Sequence, residues 1–261
     1  TKGYVFEEIA LDATVKPDET TDLAATNQPV RVKIRIYKRD KDEYAGDNPN
    51  SKNRKTLPRQ ASIDPPKSRG DGELTGAAFR VLAAQDITDR QGNVIYEKGA
   101  VVVDSLTTAG EDASVTTDAL WPGVYEIVEL APPVGYQASE TSITIDTRDA
   151  ARQSVEAVIT YEGVVTNEIR YGAQAIVKLL GGMSDDPDPD RVETPEAGAE
   201  FLVYLRKAGS YENARALERD RLVTDENGYA KTKALPYGVY VLEQIKGAPG
   251  YELKGPLLFE I

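Results

Sequence analysis

The sequence predicts an all-β protein, a tandem array of β-sandwich modules. Three observations lead there: short β-rich runs recur along the chain, clusters of turn residues separate them, and the chain repeats itself. The runs include Pro29 to Tyr37 (Pro-Val-Arg-Val-Lys-Ile-Arg-Ile-Tyr), Gly123 to Val128 and Gly238 to Leu242. Asn48-Pro49-Asn50, Asp64-Pro65-Pro66, Trp121-Pro122-Gly123 and Pro236-Tyr237-Gly238 punctuate them. Helical character is confined to Tyr211 to Asp220, a short excursion expected inside a strand connection. Several short strands spaced by turns favour a sandwich over other β architectures.

The repeat sets the module boundaries. Gly76-Ala77-Ala78-Phe79-Arg80-Val81 matches Gly198-Ala199-Glu200-Phe201-Leu202-Val203. Gly123 to Glu129, followed by Pro133 to Tyr136, matches Gly238 to Glu243, followed by Pro249 to Tyr251. Gly3-Tyr4 followed by Ala24-Ala25-Thr26-Asn27 mirrors Gly135-Tyr136 followed by Val164-Val165-Thr166-Asn167. Residues 1–28 therefore read as the closing strands of a preceding module or as an accessory strand. Residues 29–171 read as one full module with a long polar insertion over 41–72. Residues 172–261 read as a second module that stops before an equivalent of Asn167.

Composition removes most alternatives. The 261 residues carry a formal charge of −12, which disfavours nucleic acid and anionic membrane surfaces as partners. Hydrophobic residues make up 40%, enough for packed cores, yet no run reaches the length of a membrane span. There is no Cys and no His, and Met183 is the single methionine. Thiol nucleophiles, disulfides, Cys-based metal sites and Ser-His-Asp triads are excluded, and no cofactor is expected. Few oxidisable side chains suit a protein exposed outside the cell.

The pattern Gly-Ala-x-Phe, then Tyr-x-Ile-x-Glu-x-x-Pro-x-x-Gly-Tyr, then Val-Thr-Asn resembles the SpaA-type, or Cna-B-type, domains of Gram-positive surface adhesins and pilins. The likeness covers nearly the whole chain. It implies tandem inverse-immunoglobulin, transthyretin-like sandwiches in a non-enzymatic stalk or spacer of the bacterial cell wall surface. Neighbouring modules of the same protein are then the natural partners. It also implies a spontaneous amide (isopeptide) cross-link between a Lys on the first strand and an Asn or Asp on the last, assisted by an internal carboxylate.

The residues here fit that chemistry. Ile34, Ile36 and Lys38 alternate onto one face of a strand, as do Tyr125, Ile127 and Glu129, and Val165, Asn167 and Ile169. Three polar groups are thus expected among three apolar faces, where burial favours the neutral forms of amine and carboxyl alike. Lys38 would attack the Asn167 side-chain carbonyl, Glu129 would polarise it and move protons, and ammonia would leave. The site would act once, on itself. The second module departs from this: Lys178 is the candidate amine, but the inward register Tyr240, Leu242, Gln244 places Gln where Glu129 stands. No bond at Lys178 is expected, and Asn27 is an acceptor without a partner of its own.

Two further signals compete with a purely structural reading. Arg69-Gly70-Asp71 is an integrin-type tripeptide at the end of the insertion, so a module binding a host protein or glycan through 41–72 or a sandwich face is the alternative. Asp186, Asp188 and Asp190 offer oxygen ligands for Ca²⁺. They lack the Gly and terminal Glu of an EF-hand and are stiffened by Pro187 and Pro189, so no calcium site is expected.

Overall fold

The structure is a computed structural model, described over residues 10–14, 16, 18, 20–22, 24, 27–41, 69–138, 142–151, 156–181 and 194–261. The calcium candidates and most of the 41–72 insertion lie outside these residues. Among the described residues the regular structure is β, with three short 3-10 turns. No helix in them is long and apolar enough to cross a membrane.

The first sandwich is made of β1 (Arg31–Asp40), β2 (Ala78–Ala83), β3 (Ile87–Thr88), β4 (Val94–Tyr96), β5 (Val101–Thr107), β6 (Ser114–Thr116), β7 (Val124–Ala131), β8 (Ile143–Asp146) and β9 (Val158–Asn167). One sheet runs β6-β1-β9 and the other β5-β2-β7-β8. Between them pack Val32, Ile34, Ile36, Phe79, Val81, Tyr125, Ile127 and Val165, the inward set that period-two alternation selects. The first and last strands pair in parallel without interruption, from Arg31 opposite Val158 to Asp40 opposite Asn167. Chain entry and exit therefore fall at opposite ends of this pair.

The second sandwich contains β10 (Tyr171–Gly172), β11 (Ala175–Val177), β12 (Leu179–Leu180), β13 (Thr194–Pro195), β14 (Glu200–Leu205), β15 (Arg219–Val223), β16 (Tyr229–Lys231), β17 (Leu235–Pro236), β18 (Val239–Lys246) and β19 (Leu257–Glu260). Its larger sheet, β15-β14-β18-β19, repeats β5-β2-β7-β8 strand for strand. The β11-β16 pair repeats β1-β6. Local hydrogen bonds repeat as well. Tyr125 donates its hydroxyl to the Trp121 carbonyl, and Tyr240 to that of Pro236. Thr108 Oγ1 accepts from the Ala77 amide as Thr224 Oγ1 does from Ala199. These repeated bonds explain the repeated sequence: each satisfies a buried polar group at the same corner of the sandwich.

Two features add detail to the sequence-based reading. The short helical excursion expected over Tyr211 to Asp220 is a 3-10 turn at Ala216–Glu218, inside the connection from β14 to β15. A connection this short cannot repay helix nucleation, and Arg219, stacked on the Tyr211 ring, already starts β15. The compact units also do not follow chain order. Among the described residues, 69–73 and 133–137 pack with 168–181 and 194–261, while those within 10–41, 74–132 and 138–167 form the other unit. The reason is a close-packed knot of backbone. A Cβ on Gly72 would lie 2.4 Å from Ile169 Cδ1, and one on Gly135 2.5 Å from the Tyr237 ring. Arg170 and Tyr237 continue it, with the Arg170 amide donating to Gly135 and the Tyr237 amide to Arg170.

Candidate functional site: a buried lysine, glutamate and asparagine

β1 carries Lys38 into the core because Ile34 and Ile36, four and two residues earlier on the same face, are themselves fully buried. The Lys38 side chain has no solvent exposure, an uncommon place for an ammonium group. β7 brings in Glu129 by the alternation that buries Tyr125 and Ile127, and its side chain is 1% exposed. β9 ends on Asn167, 3% exposed. The three sequence-predicted residues, drawn from three strands and both sheets, meet at one point.

Glu129 bridges the other two. Lys38 Nζ donates to Oε1 at 2.7 Å, and Asn167 Nδ2 donates to Oε2 at 2.8 Å. One carboxylate thus touches both the Lys38 amine and the Asn167 side-chain nitrogen. Phe79, opposite Glu129 in the β2–β7 ladder, places its ring 5.8 Å from Lys38 Nζ and helps keep the site dry. Burial pushes the Lys38 pKa below the ordinary lysine range, against the opposing pull of the Glu129 hydrogen bond and charge.

This shift carries a testable sign. While Lys38 is still an amine, the unfolded chain holds its proton to a higher pH than the folded chain does. Folding therefore bears a cost below the lowered pKa, and the cost fades as pH rises towards the ordinary lysine value. An Asn167→Ala variant, which cannot form the amide, is expected to gain stability as pH rises towards the ordinary lysine value of about 10.4. A Lys38→Met/Asn167→Ala control should not share the gain in denaturant titrations.

Asp40 is a residue that sequence reasoning missed. It lies on the Lys38 face of β1, 3% exposed and directly opposite Asn167 in the parallel register. The same alternation that selected Lys38 selects it two residues later.

The second sandwich confirms one register and adds a partner. Phe201 stands opposite Gln244 as Phe79 stands opposite Glu129, so Gln244 occupies the equivalent position. Its amide donates to the Lys246 carbonyl and accepts from the Lys254 amide. Lys178 instead pairs with Glu196, at 2.8 Å. No sequence signal marked this contact, because the strands that create it are two residues each and are separated by a long intervening segment.

The tripeptide Arg69-Gly70-Asp71 is built into the second unit. Gly70 has φ of +56°, and a Cβ there would lie 2.0 Å from the Tyr237 carbonyl oxygen. The Asp71 amide donates to that same carbonyl, and its carboxylate accepts from the Val239 amide at 3.0 Å. Arg69 lines a cleft of about 270 Å³ with Leu205, Lys207, Asn213 and Glu218. Asn27 is exposed and lies in no strand.

The family match agrees with this architecture. The model of the SpaA family, a prealbumin-like fold domain, matches residues 62–160 and 190–261. The chain belongs to that family. Among solved structures it is similar to the TIE protein of Bacillus anthracis, at 23% identity and a TM-score of 0.54, over 99% of this chain and 37% of the other. It thus spans about a third of that protein's length. The minor pilin GBS52 of Streptococcus agalactiae matches at 15% identity and TM-score 0.30, over 87% of this chain and 89% of that one. The major pilin subunit of Bacillus cereus matches at 11% and 0.32, over 88% and 95%. No curated protein sequence matches the chain.

Proposed function

We propose that the chain is a spacer segment of a Gram-positive cell-surface adhesin or pilus, whose first sandwich is locked by an amide bond between Lys38 and Asn167. The observation that carries this reading is the Glu129 carboxylate, held between the Lys38 amine and the Asn167 amide nitrogen in a dry core. The chemistry balances within these three groups. Glu129 takes one proton from the Lys38 ammonium, and the neutral Nζ attacks Asn167 Cγ. The Cγ–Nδ2 bond breaks as Glu129 protonates Nδ2, ammonia leaves, and Glu129 takes the remaining surplus proton from Nζ. Nothing is regenerated for a second substrate, so this is maturation of the fold and not turnover.

The bond would close a loop of more than a hundred residues, for which chain entropy alone contributes about 4.7 kcal/mol. Its position suits a tensile role, since it joins the far end of β1 to the far end of β9. Digestion of the denatured chain tests the proposal. A branched peptide joining the Lys38 and Asn167 fragments is expected, and recovery of the two as separate linear peptides overturns it.

A further inference from the structure

The cleft beside Arg69 is assembled from two loops that take no part in the buried lysine site. One is the end of the long insertion, Arg69-Gly70; the other is the connection from β14 to β15, which supplies Lys207, Asn213, Arg215 and Glu218. Arg69, Lys207 and Arg215 set three cations against the single acid Glu218. In a chain of formal charge −12 that is a local reversal of sign, and a concave site concentrates the field of such a cluster.

Both loops are tied down by hydrogen bonds, so the charges are presented with little further ordering to be done on binding. On one side the Asp71 amide donates to the Tyr237 carbonyl, the Asp71 carboxylate accepts from the Val239 amide, and the Gly72 amide closes back on the Arg69 carbonyl. On the other, the Gly209 amide donates to the Arg206 carbonyl and the Ala214 amide to the Ser210 carbonyl. Arg219 Nη1 donates to the Tyr211 carbonyl at 2.8 Å, and Lys233 Nζ to the Ala216 carbonyl at 2.6 Å. The 3-10 turn over Ala216–Glu218 joins Arg215 to Glu218: the Glu218 amide donates to the Arg215 carbonyl, and Glu218 Oε2 accepts from the Arg215 amide. Lys207, Asn213 and Arg215 are exposed, whereas Glu218 is buried. Among the described residues neither Lys207 nor Arg215 forms an ion pair.

This mixture of groups selects among ligands. A bare carboxylate or phosphate satisfies the cations but brings only acceptors to Glu218, a carboxylate that itself only accepts. A neutral sugar satisfies Glu218 and Asn213 through its hydroxyls but leaves the cations unused. A sugar ring that carries a carboxylate does both. Its acid group takes charge-assisted hydrogen bonds from the cations, and its hydroxyls donate to Glu218 and exchange bonds with Asn213. At about 270 Å³ the cleft lies just below the usual span for drug-sized ligands, room for about one such ring. The geometry points to a binding site for an acidic monosaccharide unit, a hexose ring bearing a carboxylate, held by Arg69, Lys207 and Arg215 through its acid and by Glu218 and Asn213 through its hydroxyls. The Arg69-Gly70-Asp71 tripeptide contributes its arginine, while the Asp71 carboxylate holds the Val239 amide. The site is independent of the amide bond in the first sandwich.

Titration of the full chain with D-glucuronate, read from backbone amide NMR shifts, tests the site. Saturable shifts are expected at the amides of 69–72 and 206–219. D-glucose and acetate, each lacking half of the required groups, should bind at least about tenfold more weakly. Lys207→Ala/Arg215→Ala, which alters exposed side chains only, should weaken D-glucuronate by about tenfold or more and leave the amide spectrum of the rest of the sandwich unchanged. Glu218→Gln keeps an acceptor for the Arg215 amide but removes the charge, so it should raise acetate binding and narrow its gap to D-glucuronate. No saturable shift with D-glucuronate, an equal response to acetate, or an undiminished response in Lys207→Ala/Arg215→Ala overturns the proposal. A stronger response to an aspartate-containing dipeptide than to D-glucuronate would mark a peptide site and overturns it as well.

Discussion

Glu129→Ala is expected to be the most damaging single change at the buried site, worse than loss of the cross-link alone. Asn167→Ala removes the bond but keeps the Lys38–Glu129 ion pair, so its deficit against the native chain should be at most about 4.7 kcal/mol. Glu129→Ala removes the bond and also leaves an ammonium buried with no carboxylate, for a further deficit of about 3–5 kcal/mol. A Lys38→Met/Glu129→Leu double variant takes away both charges and should recover to the level of Asn167→Ala or above, because a packed apolar pair replaces a desolvated ionic one. Denaturant midpoints rank the four proteins. Equal stability of Glu129→Ala and Asn167→Ala would contradict the placement of Lys38 as a buried cation before the bond forms.

The second large effect is mechanical. With the chain held by its two ends, force enters the first sandwich at the start of β1 and leaves it at the end of β9. The amide lies between Lys38 and Asn167, so the intervening segment is out of the load path, and only the residues up to Lys38 carry tension. Lys38→Ala restores an ordinary path through the sandwich. Single-molecule pulling is then expected to give one extra unfolding event of roughly 430–460 Å, the extended length of the segment between the two residues. The native chain should lack that event under the same force ramp. An event of that length in the native chain would mean that the first sandwich is not locked.

Much of this was legible in the sequence, for reasons that particular residues make clear. Lys38 could be placed inside because a strand alternates with period two and Ile34 and Ile36 mark the inner face. Gln244 could be aligned with Glu129 because Gly238 and Gly123 anchor equivalent strands, and the ladders put both opposite an equivalent phenylalanine. Asp40 was equally available from alternation but lies past the end of the apolar run that drew attention to the strand. Glu196 was not legible. Its contact with Lys178 depends on a hairpin of two-residue strands, too short for any pattern to register. The role of Arg69-Gly70-Asp71 was hidden for a related reason. Its surroundings are Tyr237 and Val239, far along the chain, and the tripeptide by itself says nothing of what packs on it.

The central claim is a covalent bond, and the mass of the intact, denatured chain tests it most directly. Amide formation between Lys38 and Asn167 expels one ammonia, so the native chain is expected to weigh one ammonia less than its residues plus water. Lys38→Ala, Glu129→Ala and Asn167→Ala should each show the full mass of their own sequence. A native chain at full mass would contradict the account.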